Sequence, residues 1–252
     1  MPKIRVMPTL LFKDVGLVKG VAFDSWRRVG SAMQAVKVYN MREVDELVYL
    51  DITATGDGRP PDFETVDDLA DECFMPLTVG GGVRTVEDVR RLLKVGADKV
   101  AINTAAVERP ALIREIADRF GSQCVVVSID ARRRADGTYE SYTHSGRVPV
   151  GKDPAAVAKD AEAMGAGEVL LTSIDRDGTM RGYDVELTRL VADAVSIPVI
   201  ASGGAGTYQH MVEVLREGRA SAVAAASIYH FTEQTPLAAK RFLRERGFPV
   251  RL

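Results

Sequence analysis

The chain is poor in the residues that build disulfide frameworks, metal centres and nucleophilic triads. Its 252 residues include two cysteines, three histidines and one tryptophan. Cys73 and Cys124 are too few for a disulfide scaffold and suit the reducing cytosol, so a cytoplasmic location is expected. His144, His210 and His230 fall in a loop, a helix and a post-strand segment, with no Ser or Cys partner at motif spacing. Neither a triad nor a metal site is therefore expected, and no cofactor; His210 reads as a solvated helix residue. Long apolar runs are also missing, and the N-terminus shows no n-region, h-region or cleavage site, so neither a membrane span nor a leader is expected. No charge of one sign dominates: 33 basic side chains meet 35 acidic ones, a formal net charge of −2. That balance argues against nucleic-acid binding by a basic domain and leaves room for a local basic patch that holds phosphate.

What is present is apolar material in short, regular doses. Hydrophobic residues make up 46% and charged residues 27%, enough for one large core and incompatible with disorder as the main state. Eight strand-length runs recur: Ile4–Leu11, Glu46–Ile52, Pro76–Val79, Lys99–Ile102, Cys124–Ile129, Glu168–Thr172, Pro198–Ala201 and Ser221–Ala225. Continuous apolar character suits strands buried on both faces of a parallel sheet. Helical patterns separate them at Asp62–Cys73, Val86–Leu93, Pro110–Phe120, Pro154–Met164, Glu186–Val195, Gln209–Arg216 and Pro236–Arg246. Thr85 is a candidate N-cap, and Asp153-Pro154 repeats the cap-then-proline signal. Eight β-α units of about 31 residues predict a (β/α)₈ TIM barrel. No Ser/Gly/Pro-rich linker interrupts them, so residues 1–252 read as a single domain.

A second order lies inside the eight. Pro76–Gly82 resembles Pro198–Gly204, Ala101–Ala105 resembles Val223–Ser227, and Asp51–Gly56 resembles Ser173–Gly178, all at one offset, 198 − 76 = 122. Three segments at one spacing predict two half-barrels of four units each.

Function in this fold sits at the C-terminal ends of the strands. Gly82, Asn103 and Thr104 from one half, and Gly203, Gly204, Ala226 and Ser227 from the other, make two equivalent cradles where backbone N–H groups, short hydroxyls and helix starts can hold phosphate. Two cradles on one face predict a phosphorylated small molecule with a phosphate at each end. Asp130 ends strand 5 and is the candidate for acid/base chemistry. Asp51 and Asp177, followed by Gly178, stand at other strand ends, where an Asp serves equally well as a turn former. At the opposite face Arg5, Glu46, Lys99 and Glu168 open four strands and can form either a ring of salt bridges or a set of isolated solvated charges.

Lys13-Asp14, Val18-Lys19-Gly20, Asp45–Ile52, Thr78–Arg84, Gly121–Val127, Ile174–Thr179 and Ala201–Ala205 together resemble, from Arg5 to Leu252, the cyclase subunit of imidazole glycerol phosphate synthase, the HisF family. The resemblance implies a bisphosphorylated ribonucleotide on the top face and ammonia received through the barrel from a glutaminase docked at its N-terminal face. It makes Arg5, Glu46, Lys99 and Glu168 the ammonia gate, places Asp98 at the glutaminase contact, and makes Lys19 a lysine that closes over the substrate. The family uses an aspartate at the end of strand 1 together with one at the end of strand 5. Asp130 supplies the second; position 11 holds Leu11, which transfers no proton, and Asp14 is a poor substitute. Ala22, Arg28 and Ser31 also replace residues that are usually polar or acidic. This combination is similar to HisF-like paralogues of surface-polysaccharide gene clusters, which work with a glutaminase and a sugar amidotransferase. The alternatives are a working cyclase of histidine biosynthesis and a non-enzymatic scaffold that switches on its glutaminase.

Overall fold

A computed structural model describes residues 3–14 and 16–252; residues 1 and 2, which open the stretch examined above for a leader, lie outside them. Among the described residues, twelve strands occur in chain order: β1 (Arg5–Lys13), β2 (Gly16–Val21), β3 (Asp24–Gly30), β4 (Leu47–Asp51), β5 (Leu77–Gly80), β6 (Lys99–Ile102), β7 (Val125–Arg133), β8 (Tyr139–Thr143), β9 (Val148–Pro149), β10 (Glu168–Ser173), β11 (Val199–Ser202) and β12 (Ala222–Ala225). Eight of them pair in parallel in the order β10-β11-β12-β1-β4-β5-β6-β7, and β7 returns to β10 to close the barrel. The structure is thus the (β/α)₈ barrel that the eight runs predict.

Ten α-helices accompany the strands among the described residues: α1 (Ala32–Met41), α2 (Phe63–Asp71), α3 (Val86–Lys94), α4 (Thr104–Glu108), α5 (Ala111–Phe120), α6 (Pro154–Ala163), α7 (Val185–Ala192), α8 (Tyr208–Arg216), α9 (Ser227–Phe231) and α10 (Pro236–Glu245). Their starts are written in side chains. Thr85 closes a capping box with Asp88, and the Asp153 carboxylate accepts from the N–H groups of Ala155 and Ala156 ahead of Pro154. Each such cap satisfies donors that a helix start otherwise leaves unpaired. Their apolar stripes, such as Val89 and Leu92 of α3, pack outward-facing strand residues into the large core between barrel and helices. A second cluster, Met7, Val48, Ala101, Val126, Leu170, Ile200, Ala222 and Ala224, fills the barrel interior.

Three features depart from the sequence reading. The antiparallel hairpin β2–β3, the excursion β8–β9 and helices α1, α4 and α9 are additional elements. Pro110 stands at the cap of α5 rather than inside its first turn. The half-barrel offset also slips by one residue partway: α3 and α8 keep 122, whereas α4 and α9 start at 104 and 227, an offset of 123. One extra residue lies between α8 and β12, a connection in which Arg219 takes a positive φ of 58°. The Ala101–Ala105 segment therefore superimposes one position further on, Ala101 matching Ala224, and both face the lumen.

Candidate functional site

Because strand residues alternate sides, the lumen can be read upward along each strand. At the N-terminal end Arg5 reaches Glu46 at 2.8 Å and Glu168 at 3.0 Å, while Lys99 reaches the same two carboxylates at 2.9 and 3.1 Å. The four charges form a closed, alternating ring, and Glu46 also accepts from Thr78 Oγ1 at 2.7 Å. Asp98 stands exposed beside the ring and caps β5 by accepting from Leu77 N at 2.8 Å. Above the ring comes the apolar lumen cluster, three of whose members, Ala101, Leu170 and Ala224, also line the pocket that opens at the C-terminal face.

Glycine pairs from the two halves shape that pocket. Gly81 and Gly82 have φ of 106° and 75°, and Gly203 and Gly204 have 90° and 104°. A β-carbon on Gly81 would lie 2.2 Å from the Asp51 carbonyl oxygen, and one on Gly203 would lie 2.8 Å from that of Ser173, the symmetry-related residue. Only glycine tolerates both the conformation and the approach. Gly82, Asn103, Thr104, Gly178, Gly203, Gly204, Ala226 and Ser227 all line this one pocket. Ser227 Oγ and Asn103 Oδ1 are buried there without a hydrogen-bond partner among the described residues, a cost that a ligand would relieve.

The three strand-end aspartates have separate fates. Asp51 is a turn former: its Oδ1 accepts from Thr53 N, Thr53 Oγ1 and Ala54 N at 2.9–3.0 Å, and Arg59 lies 3.3 Å from Oδ2. Asp177 is spoken for by Lys19, whose Nζ lies 2.5 Å away in a pair closed off from water. Asp130 has no cation partner among the described residues; Asn103 Nδ2 donates to it at 3.2 Å. Burial, and then the charge of Asp177, push its carboxyl up to about 7. It therefore exchanges a proton near neutral pH. Leu11 lines the same pocket on β1. Asp14 is exposed and lies outside that pocket, in a shallow depression on the other side of the hairpin.

The hairpin β2–β3 forms a cover over the mouth. Besides the Lys19–Asp177 pair, Ala22 N donates to the Asp177 carbonyl at 2.8 Å, and the Arg27 guanidinium sits 3.7 Å over the Phe231 ring. His230, half-buried near Lys19, is pushed down to about 4 by burial and then by the lysine charge. His210 is more than a solvated residue: its Nδ1 accepts from Gly206 N at 3.2 Å, bracing the second glycine turn.

The pocket also holds residues that the sequence reading missed. Ser128, Thr172 and Ser202 point inward from β7, β10 and β11, and strand alternation alone would have found them. Phe23 and Trp26 reach the pocket from the hairpin, and Arg84 and Ser145 from loops, positions set only by tertiary packing. Among the described residues no cluster of three or more His, Cys, Asp or Glu side chains is placed to hold a metal, and no helix is long and apolar enough to cross a membrane.

The model of a family described as histidine biosynthesis protein matches residues 5–235. The chain belongs to that family, whose members are HisA/HisF-type barrel enzymes.

Proposed function

We propose that this member of the histidine biosynthesis family is a HisF-type synthase subunit that takes ammonia from a glutaminase docked at the N-terminal barrel face. The ammonia serves a sugar amidotransferase in surface-polysaccharide (O-antigen) biosynthesis. The axial order of side chains in the lumen carries this reading: a charged ring, an apolar layer, then a pocket with Asp130 but Leu11 in place of a second acid. An apolar layer passes neutral ammonia and rejects ammonium, because moving an unpaired charge out of water costs far more than moving a small polar molecule. The ring is electrically balanced, so its opening on one side would admit a neutral guest without leaving a net charge behind. On this reading Asp98, exposed beside the ring, lies on the docking face.

In the pocket, the backbone N–H groups of the two glycine turns, Ser227 Oγ and Asn103 hold phosphate, and Lys19 holds the hairpin shut through Asp177. Cyclisation would need both an acid and a base, and one missing partner typically costs about 10² to 10⁴ in rate. Asp130, titrating near 7, favours a second reading in which it alone shuttles the proton in a working cyclase of histidine biosynthesis.

The test bypasses the glutaminase. The isolated chain is given ammonium at elevated pH with the bisphosphorylated ribonucleotide, and no cyclised product is expected. Turnover at rates ordinary for an enzyme would establish the cyclase instead. Leu11→Asp then reports on the pocket, since a gain of about 10² or more would mean that only the acid was lost. Glutamine-dependent amidation of a sugar should require the glutaminase, this chain and the amidotransferase together. Occupancy of the two glycine turns by phosphate esters would count against a scaffold that binds no ligand.

A further inference from the structure

We infer that four hydroxyls on the pocket floor, those of Thr9, Ser128, Thr172 and Ser202, form a receiving site that holds ammonia as the neutral molecule, with Thr9 as its principal contact. The inference rests on the ammonia-delivery reading and adds where the molecule stops once it has passed the apolar layer.

All four residues line the pocket, and strand geometry sets their depth. Each stands two positions above a member of the apolar lumen cluster, Thr9 above Met7, Ser128 above Val126, Thr172 above Leu170 and Ser202 above Ile200, so each points into the bore from the next step up. In the closed strand order β1 and β7 lie four places apart in a ring of eight, which sets Thr9 across the bore from Ser128. Thr172 and Ser202 are register partners on β10 and β11, beside β7. Thr9 is only 7% exposed, and its Oγ1 has no hydrogen-bond partner among the described residues. A threonine on a strand satisfies its hydroxyl most simply by meeting a neighbour; this one is buried and aimed into the bore, a cost that a polar guest removes.

The chemistry of the floor fits ammonia better than ammonium. Ammonia brings one lone pair and three N–H groups, and a hydroxyl both donates and accepts, so a ring of hydroxyls matches it on both counts. Ammonium has no lone pair to offer the hydroxyl protons, and its charge would sit directly on an apolar layer. Among the described residues that line the pocket, the charged or titratable side chains are Lys19, Asp51, Arg84, Glu108, Asp130 and Asp177. Of these only Asp130 shares a strand with a floor hydroxyl. On β1 the residue above Thr9 on the same face is Leu11, so the guest at Thr9 meets no acid from that side and keeps its lone pair. The leucine that removes one proton-transfer role thus protects the nucleophile.

Threonine methyl groups give the site its own signal. The full chain, labelled at threonine methyls, is titrated with ammonium chloride, with sodium chloride and potassium chloride at matched ionic strength as controls. Expected are saturable shifts of the Thr9 and Thr172 methyl signals with ammonium chloride alone. The apparent affinity for total ammonium should rise about tenfold per pH unit between about pH 6 and 8, because the neutral fraction rises by that factor. Thr9→Val keeps the shape and should weaken binding, read at Thr172, about tenfold. Thr9→Ser should restore it, and Asp130→Asn should leave the pH dependence as it is. The proposal is overturned by the absence of a saturable shift, by unchanged affinity in Thr9→Val, by equal shifts with potassium, or by a pH dependence that disappears in Asp130→Asn. The last two outcomes would mean a cation held beside Asp130. Delivery is judged apart from the site. Glutamine-dependent amidation by the three components without binding at Thr9 would sink the site alone, and binding at Thr9 without such amidation would sink the delivery reading alone.

Discussion

Asp130 concentrates most of what a single residue contributes here. Its carboxyl is half-buried in the pocket and faces the charge of Asp177 with an asparagine amide as its donor. The folded chain therefore holds a proton on it up to about pH 7, well above the ordinary 3.8. Between those values the native state binds more protons than the unfolded one, so this group's contribution is complete below about pH 4 and is lost as pH rises toward 7. The slope is at most about 1.4 kcal/mol per pH unit. Urea unfolding of wild type and Asp130→Asn at pH 5 and pH 7 measures it: wild type should lose at least about 1 kcal/mol relative to the variant on going up in pH. Parallel curves would mean that Asp130 is ionised throughout. Asp130 was legible in the sequence because it ends a strand in a predictable barrel. Asp51 looked equivalent and is a turn former, because a turn aspartate and a free one share the same strand-end position and only the donors at Thr53, Ala54 and Arg59 separate them.

At the scale of elements, the hairpin β2–β3 is the part the sequence conceals. Its turn is built with positive φ at Ala22, Phe23 and Ser25, none of them glycine, so no turn signature announces it. Its second strand, β3, is mostly exposed and polar, and β2 is a short, mostly buried stretch with a lysine in it, so neither shows the alternation that betrays a half-buried strand. Helix α1 escaped for a related reason: only Ala32, Val36 and Tyr39 are buried along its ten residues. The barrel strands and the capped helices, by contrast, carry local signals strong enough to read directly, apart from the one-residue slip before β12. What holds the hairpin down is equally local. Lys19 and Asp177 are an ion pair almost wholly removed from water, and deleting one member of such a pair strands the other charge at a cost of about 3 kcal/mol. Lys19→Met should therefore free the hairpin without unfolding the barrel. Amide exchange in β2 and β3 should rise about 100-fold and Trp26 emission shift to the red, while the amides of β5 and β11 keep their protection. Exchange that rises equally in all strands would show that the pair stabilises the whole fold rather than a lid.

For the molecule as a whole, the ionic ring is the structure that crosses between halves. Arg5, Glu46 and Lys99 come from the first four barrel strands and Glu168 from the last four, so the second half touches the ring through one carboxylate. The repeat at 122 residues made the two halves visible in the sequence, but whether four scattered charges would meet was decided by barrel closure, at the β7–β10 and β12–β1 pairings. Glu168→Gln keeps the shape and removes the charge, leaving Arg5 and Lys99 to share Glu46 and the bore with one excess positive charge. Side-chain exposures of 23% for Arg5, 17% for Lys99 and 14% for Glu168 temper the penalty of a fully buried pair, and about 2 kcal/mol is expected. For a chain of this size that is a fall in Tm of roughly 4–8 °C. Glu46→Gln should cost more, because Glu46 is only 3% exposed and also serves Thr78. If the ring were four independent surface charges, both variants would stay within about 0.5 kcal/mol of wild type in urea. The order of the two losses, Glu46 above Glu168, separates a ring that ties the halves together at the base of the barrel from a coincidence of solvated ends.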